Sequence, residues 1–502
     1  MPAARPSREE FDRLAEEYSV VPVWREVVAD LETPVSAFLK VIAPDSPSPC
    51  FLLESVEGGE RWGRYSFIGL DPFLVMTSRD GAVSWEGSVP AAGAEAVAAG
   101  ATPLEVLRAV LGSFATPNLA GLPPLHAGAV GYLGYDVVRY LEELPQTTSD
   151  DVGVPELMLM FPRSLFVFDH LRQRVAVVAN VVAGDSYDEA LARIDELASR
   201  LGRALAYRPL ELEPIEVTLP PSTLSREAFE AAVEAAREHI FAGDIFQVVL
   251  AQRFSSPFRA DPFDVYRVLR LVNPSPYMFY LRHPEITVIG SSPEPLIKVE
   301  GRHVTQRPIA GSRPRGADEE EDAALAAELV SDEKERAEHI MLVDLARNDV
   351  GRVSDWGSVA VDELMVVERY SHIMHLVSQV SGTLREGSTA LDALYASFPA
   401  GTVSGAPKIR AMEIIDQLEP TRRGPYAGVV GYFDFSGNLD TCIALRTAYI
   451  AGGRFHIEAG GGIVADSDPA KEWWESVNKA KALLTAAQLA ERLRAPRPPE
   501  TP

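Results

Sequence analysis

The sequence predicts a mixed α/β protein of the α+β type, and three observations carry that reading. Short β-type runs at 51–53, 165–168 and 175–182 alternate with amphipathic helical stretches at 186–201, 225–243 and 332–352. The 502 residues are 46% apolar, ample for a large core. The prolines between 207 and 224 remove backbone donors and favour extended chain, which divides the sequence in two. The expected organisation is an N-terminal half at 1–206, a proline-rich junction at 207–224, a second domain at 225–490 and a disordered tail at 491–502.

Composition excludes several classes of function. Lys and Arg number 47 against 72 Asp and Glu, a formal charge of −25, so no nucleic acid and no anionic membrane surface is expected as partner. An anionic small substrate would need local basic residues or a metal. Only Cys50 and Cys442 are present, which rules out a disulfide framework and suits a reducing, cytoplasmic compartment. The N-terminus lacks the apolar core of a signal peptide, and no apolar run approaches the ~18 residues of a membrane helix.

Taken in order, 52–69 (LLESVEGGERWGRYSFIG) enters as a strand, carries Glu54 and Ser55, turns at Gly-Gly and continues through Arg61 and Arg64. The small-residue run at 91–101 is expected to be a surface excursion. A helix starts at the Ser225 cap, presents Phe229, Val233, Ala236 and Ile240 on one face and stops at Gly243, and a strand follows at 245–254. The 332–352 helix, DEKERAEHIMLVDLARNDVGR, begins at a Ser331 or Asp332 cap, with Ala337, Met341 and Leu345 on its expected packed side. Glu335 and Glu338 are three apart, so their carboxylates share one face and can serve one molecule, one holding a metal while the other donates a proton. GTVSGAPK at 401–408 fails the phosphate-loop pattern, because its glycines are four apart and Lys408 follows a proline. No nucleotide is therefore expected.

Six stretches in the second half, in order, carry a resemblance: 243–254 (GDIFQVVLAQRF), 290–294 (GSSPE), 307–316 (RPIAGSRPRG), the 332–352 helix, 401–420 (GTVSGAPKIRAMEIIDQLEP), and the run from 424 (GPYAGVVGYF) through ALRTA to GGGIVADSDPAKEWWESVNKA, ending at 480. The chain resembles the chorismate-utilising enzyme family, and within it the anthranilate-forming branch. The resemblance implies two stacked, antiparallel-rich sheets flanked by helices, with the catalytic site in 225–490. It makes Glu335 the general acid and Glu338 and Glu475 the Mg²⁺ ligands, with His375 and Thr402 completing the site around the ring.

Gly311, Ser312, Tyr426 and Arg446 match substrate contacts, as do Gly460, Gly461 and Gly462, whose backbone amides are expected to form an anion nest; Arg446 suits a carboxylate bidentately. His372 lies three residues from His375, but no cysteine or further histidine sits at ligand spacing. Family members that add water carry a lysine base where this chain has Gln247; glutamine cannot take a proton from water, whereas ammonia arrives already nucleophilic. Ala310 stands where the para-directing relatives have a lysine nucleophile. Both positions favour anthranilate formation.

LLES and NPSPYM (273–278) match a tryptophan pocket of the family, formed by Glu54, Ser55, Pro276, Tyr277 and Met278, with Glu54 expected to pair with the ligand's amine. The resemblance further implies a separate small glutaminase subunit that supplies ammonia, in an assembly of two large and two small chains. The chain runs only about twenty residues past its last motif, so no fused glutaminase domain is expected.

Overall fold

The protein is described by a computed structural model over residues 3–28, 30–42, 47–55, 63–205, 210, 213–370 and 373–493. Arg61, His372, most of 206–212 and the expected tail beyond 493 lie outside the described residues.

Two antiparallel sheets stack on each other. The first runs, in spatial order, through β1 (Val21–Val28), β7 (Arg174–Val181), the second half of β6 (Leu157–Asp169), the first half of β3 (Tyr65–Arg79), β2 (Cys50–Glu54), β9 (Tyr277–His283), β10 (Ile286–Ser292), β19 (Thr447–Ala451), β20 (Arg454–Ile463), β8 (Gln247–Pro257) and β16 (Gly405–Ala406). The second runs from β4 (Ala82–Gly87) through the other halves of β3 and β6 to β5 (Gly128–Leu133), β17 (Val429–Asp434), β18 (Leu439–Ile443), β11 (Pro295–Glu300), β12 (His303–Gln306) and β15 (Ile373–Thr383). On β15, β13 (Ile309–Pro314) continues the edge that β12 occupies, and β14 (Ala360–Arg369) takes the other. A bulge between Pro72 and Leu74 interrupts the long β3–β6 pair where it passes from one sheet to the other.

Strand alternation divides the apolar residues into layers. On β9, Tyr277, Phe279 and Leu281 pack between the sheets, while Met278 and Tyr280 face outward. The outer face of the first sheet is covered by α1 (Arg8–Glu17), α2 (Pro34–Val41), α5 (Tyr187–Leu201), α7 (Pro262–Val272) and α12 (Pro469–Leu493), and that of the second by α4 (Pro103–Gly112), α9 (Glu333–Val353) and α10 (Ala390–Ser397). α8 (Glu319–Ser331) packs Leu329 against Met374 and Leu376 of β15. α6 (Arg226–Ala242) and α11 (Lys408–Leu418) close over β8. No helix among the described residues is long and apolar enough to cross a membrane.

Local signals fix α6 as the sequence predicts: Ser225 accepts the Ala228 amide, and Gly243 ends the helix at φ +83°. The small-residue run at 91–101 lies at the surface as expected and forms α3 (Ala91–Ala98), whose buried residue Gly93 would bring a side chain within 2.7 Å of Val110 on α4. One expectation is corrected. On α9 the packed stripe is His339, Leu342, Val343, Ala346 and Val350; Ala337 is exposed, because the strands beneath the helix meet the neighbouring face.

Strands of the two sequence halves hydrogen-bond directly: β2 pairs with β9, and β5 with β17. Residues 222–502 alone would leave these edges unpaired and much of the inter-sheet core uncovered. Expressed by itself, that fragment is expected to aggregate; a monomeric, cooperatively melting fragment in circular dichroism would contradict the shared-sheet argument.

Candidate active site

The site is built on the first turns of α9. Asp332 caps the helix, one carboxylate oxygen accepting the amides of Lys334 (3.0 Å) and Glu335 (3.1 Å), so Glu335 and Glu338 emerge from a fixed start. Arg313 on β13 joins Asp332 (2.9 Å), Glu328 (2.9 Å) and Glu335 (3.5 Å). Gly311, at φ +67°, passes so close that a Cβ would lie 2.9 Å from Glu335 Oε2. A register shift follows, and it sets Ser312 opposite His375 of β15.

The Gly311 carbonyl lies 3.0 Å from His375 Nδ1. A carbonyl only accepts, so Nδ1 carries the hydrogen and Nε2 of the neutral ring keeps its lone pair. Burial, above all, lowers the His375 pKa and favours that neutral form.

Glu338 faces this group from one turn further along. Burial first, then the Glu335 charge, push its carboxyl above the usual range; the Gln247 amide opposes the shift, and Glu475 adds to it from α12. Gln247 opens β8, beside the glycine run of β20. The expected nest is not formed: Gly460, Gly461 and Gly462 are extended and pair with Ala251, Leu250 and Val249. What the glycines provide is room. A Cβ on Gly462 would lie 2.2 Å from the Gln247 amide nitrogen, and one on Gly461 3.2 Å and 3.3 Å from the Glu472 and Glu475 carboxylates. On Gly460, the carbonyl accepts from Lys479 at 3.0 Å, and the backbone amide lies against the buried Tyr426 hydroxyl.

Arg446 is held at φ +46°, a strained position for a non-glycine residue, in the turn that leads into β19. It lines an open cavity of about 530 Å³ with Asn273, Lys471, Trp474, Glu475 and Lys479. Three cations thus gather around one space in an acidic chain, one of them, Lys479, paired with Glu475 at 2.7 Å.

Thr402 sits in a short 3₁₀ turn, its hydroxyl buried without a hydrogen bond of normal geometry, although the Glu294 carboxyl is its neighbour. Both line a small cavity of about 40 Å³ with Gln306, Leu345 and Asp349. Burial pushes Glu294 up to about 8, so it is still protonated at neutral pH.

Two acids in the site escaped the sequence reading. Glu294 lay inside a recognised stretch, but its burial comes from β18 and the 401–403 turn, far away in sequence. Glu472 shared a helix with Glu475; its Oε2 is buried without a hydrogen-bond partner, and burial raises its carboxyl. The helical spacing of Glu472 and Glu475 was the signal available. Among the described residues, no three carboxylate or imidazole groups converge into a ready-made metal cage.

A third cavity, about 270 Å³, lies between the sheets, and Glu54, Ser55, Pro276, Tyr277 and Met278 all line it. The Ser55 hydroxyl is buried and has no hydrogen-bond partner among the described residues. Glu54 is placed differently from expectation. Leu53 faces the inter-sheet core, so the next side chain on β2 turns outward, where the carboxylate accepts from Tyr266 (2.5 Å) and Arg270 (3.0 and 3.2 Å). Met278 likewise packs in the outer layer, because its neighbours Tyr277 and Phe279 point inward.

The chain carrying these stacked sheets and this cleft matches a known enzyme family, the chorismate binding enzymes, over residues 49–485. Anthranilate synthase component 1 of Acetivibrio thermocellus is 47% identical over 503 residues, covering 97% of this chain and 99% of that protein. The Pseudomonas aeruginosa protein of the same name is 49% identical, covering 97% and 99%. Among solved structures, anthranilate synthase component I from Streptococcus pneumoniae superposes with a TM-score of 0.75 at 36% identity, over 92% of this chain and 99% of that one. The menaquinone-specific isochorismate synthase of Escherichia coli shares the fold, with a TM-score of 0.67 at 21% identity over 96% of this chain and 98% of that one. The chain belongs to the chorismate binding enzymes and, within them, to the anthranilate synthase component 1 proteins.

Proposed function

We propose that this chain converts chorismate and ammonia into anthranilate, pyruvate and water, with Mg²⁺ bound, ammonia drawn from glutamine by a small glutaminase subunit, and tryptophan as feedback inhibitor. The observation that carries the catalytic reading is the meeting of Glu338 and Glu475, from two helices, at the bare glycine end of β20, with the Gln247 amide between strand and carboxylate.

The donor set fits Mg²⁺. Glu338 is partly buried and pushed up by the charges of Glu335 and Glu475, Glu475 is exposed with Lys479 at 2.7 Å from its carboxylate, and among the described residues one Glu472 oxygen has no hydrogen-bond partner. Such oxygen donors suit a hard cation, and Mg²⁺ is usually held by one or two carboxylates while water and substrate complete its shell. Glu338 and Glu475 would hold it, and when bound it supplies positive charge to a substrate carboxylate. Arg446, Lys471 and Lys479 receive the substrate's negative charge, and Arg446 takes one carboxylate through its planar fork.

Ammonia attacks the ring as the ring hydroxyl departs with a proton. Glu335 is the proposed donor of that proton, and Glu294, which burial keeps protonated beside Thr402, is its competitor. Gln247 cannot activate water, which favours amination over hydration. His375 Nε2 then removes the ring proton as pyruvate leaves, and the ring becomes aromatic.

Neither cysteine is set up to hydrolyse glutamine, since burial pushes both thiols up, out of the reactive range. The purified chain with chorismate, Mg²⁺ and an ammonium salt is therefore expected to form fluorescent anthranilate, and with glutamine none until a glutaminase chain is added. Glutamine-dependent product from the chain alone would refute the division of labour. Yield from ammonium salts should rise with pH as free ammonia accumulates.

For the inter-sheet cavity, Ser55→Ala removes a hydroxyl with no partner to lose among the described residues, so inhibition by tryptophan should weaken by roughly two- to tenfold. An unchanged inhibition curve would place the inhibitor elsewhere.

A further inference from the structure

The cavity between the sheets, read above as the seat of an aromatic amino-acid inhibitor, needs an anion for the ligand's ammonium, and Glu54 does not provide one. Its carboxylate is on the outer face of the first sheet, 2% exposed, with Tyr266 and Arg270 already donating to it. The cavity has another acid. On β18, Leu439 and Ile443 pack against the outer layer while Cys442 faces the inter-sheet core, so alternation turns Asp440 towards the cavity, which it lines. Its Oδ1 accepts the Tyr277 hydroxyl at 3.0 Å, and among the described residues that is its one hydrogen-bond partner. The two cationic side chains on the same cavity, Arg64 and Lys298, are ion-paired with Asp169 and Glu300, each at 2.8 Å.

We propose that Asp440 holds the α-ammonium group of the inhibitor and so selects α-amino acids over aromatic compounds that lack the amine. Ser55 supports the assignment independently, because its buried hydroxyl, without a partner among the described residues, marks the same space as a polar binding site and not as an apolar void. The assignment rests on the inhibitor reading of this cavity and adds the residue that recognises charge.

The acid is faced by Tyr277 of β9, Lys298 and Glu300 of β11, Tyr432 of β17 and Cys442 of its own strand. Burial raises its carboxyl to about 6, with Lys298 opposing the shift. The ammonium requires the carboxylate form, so amine selectivity is present above that pH and lost as pH falls through it.

Calorimetric titration of the full chain with L-tryptophan and with indole-3-propionate, which lacks the amine, tests the proposal. The wild type should prefer tryptophan, and Asp440→Asn should cut that preference by roughly ten- to hundredfold, the range expected for losing a charged hydrogen bond. Glu54→Gln should leave the preference in place. In the wild type, needing no variant, the preference should fade between pH 7.5 and pH 5.5. Preference kept in Asp440→Asn, or independent of pH in the wild type, overturns the assignment. Binding of neither compound by the wild type overturns it differently, by removing the inhibitor from this cavity altogether.

Discussion

Replacing Glu335 by glutamine is expected to lower kcat by about 10²- to 10⁴-fold, the usual contribution of a positioned general acid, while the KM for chorismate changes little. On the proposed roles, Arg446, Lys471, Lys479, Glu338 and Glu475 stay in place, so ground-state binding should survive while the proton donor is lost. Glu338→Gln should behave differently, raising the Mg²⁺ concentration required for half-maximal turnover. Steady-state kinetics over a Mg²⁺ series separate the two, and identical phenotypes would dissolve the distinction between acid and metal ligand. Glu294→Gln adds a third arm. If the departing hydroxyl takes its proton from Glu294, that variant and not Glu335→Gln loses turnover, and wild-type turnover at saturating ammonia falls as pH rises through about 8, where the acid deprotonates.

Replacing His375 by alanine is expected to uncouple the two half-reactions. The ring is fixed by the Gly311 carbonyl on Nδ1, which leaves Nε2 as the basic atom, while the proton for amination is assigned to Glu335. An aminated compound still bearing its pyruvate-derived side chain should accumulate, detectable by chromatography with mass spectrometry, while anthranilate output falls by about 10²-fold or more. Complete inactivity with no such compound would count against the role. The pH dependence carries a sign: burial lowers the His375 pKa, so the base-competent neutral ring persists below the ordinary histidine range, and aromatisation is lost only as pH falls through the lowered value.

The start of α9 was legible in the sequence because a cap is local: Asp332, its acidic first turn and the three-residue spacing of Glu335 and Glu338 lie within one stretch of chain. The same holds for α6, from Ser225 to Gly243. The motifs that named the site were legible too, since each is a short word with its own residue chemistry. Those signals supplied the candidate residues and, through the family resemblance, the class of ligand to expect.

Which way the residues face, and what charge they carry, was decided by tertiary structure. A strand's period of two says that Leu53 and Glu54 point to opposite sides of β2, but only the stacking of the second sheet makes Leu53's side the cavity and sends Glu54 to Tyr266 and Arg270. Helical spacing grouped Ala337, Met341 and Leu345, yet the strands under α9 met the His339–Val343–Val350 face. The glycine run was open to a nest or a strand until β8 paired with it. Glu294 owes its protonated state to elements more than a hundred residues distant, and Asp440 its place in the inter-sheet cavity to a strand that pairs across the two sequence halves. Burial and the charges that accompany it are properties of neighbours brought together by folding, so the sequence by itself determined the chemistry available, and the packing of the two sheets decided where that chemistry is aimed.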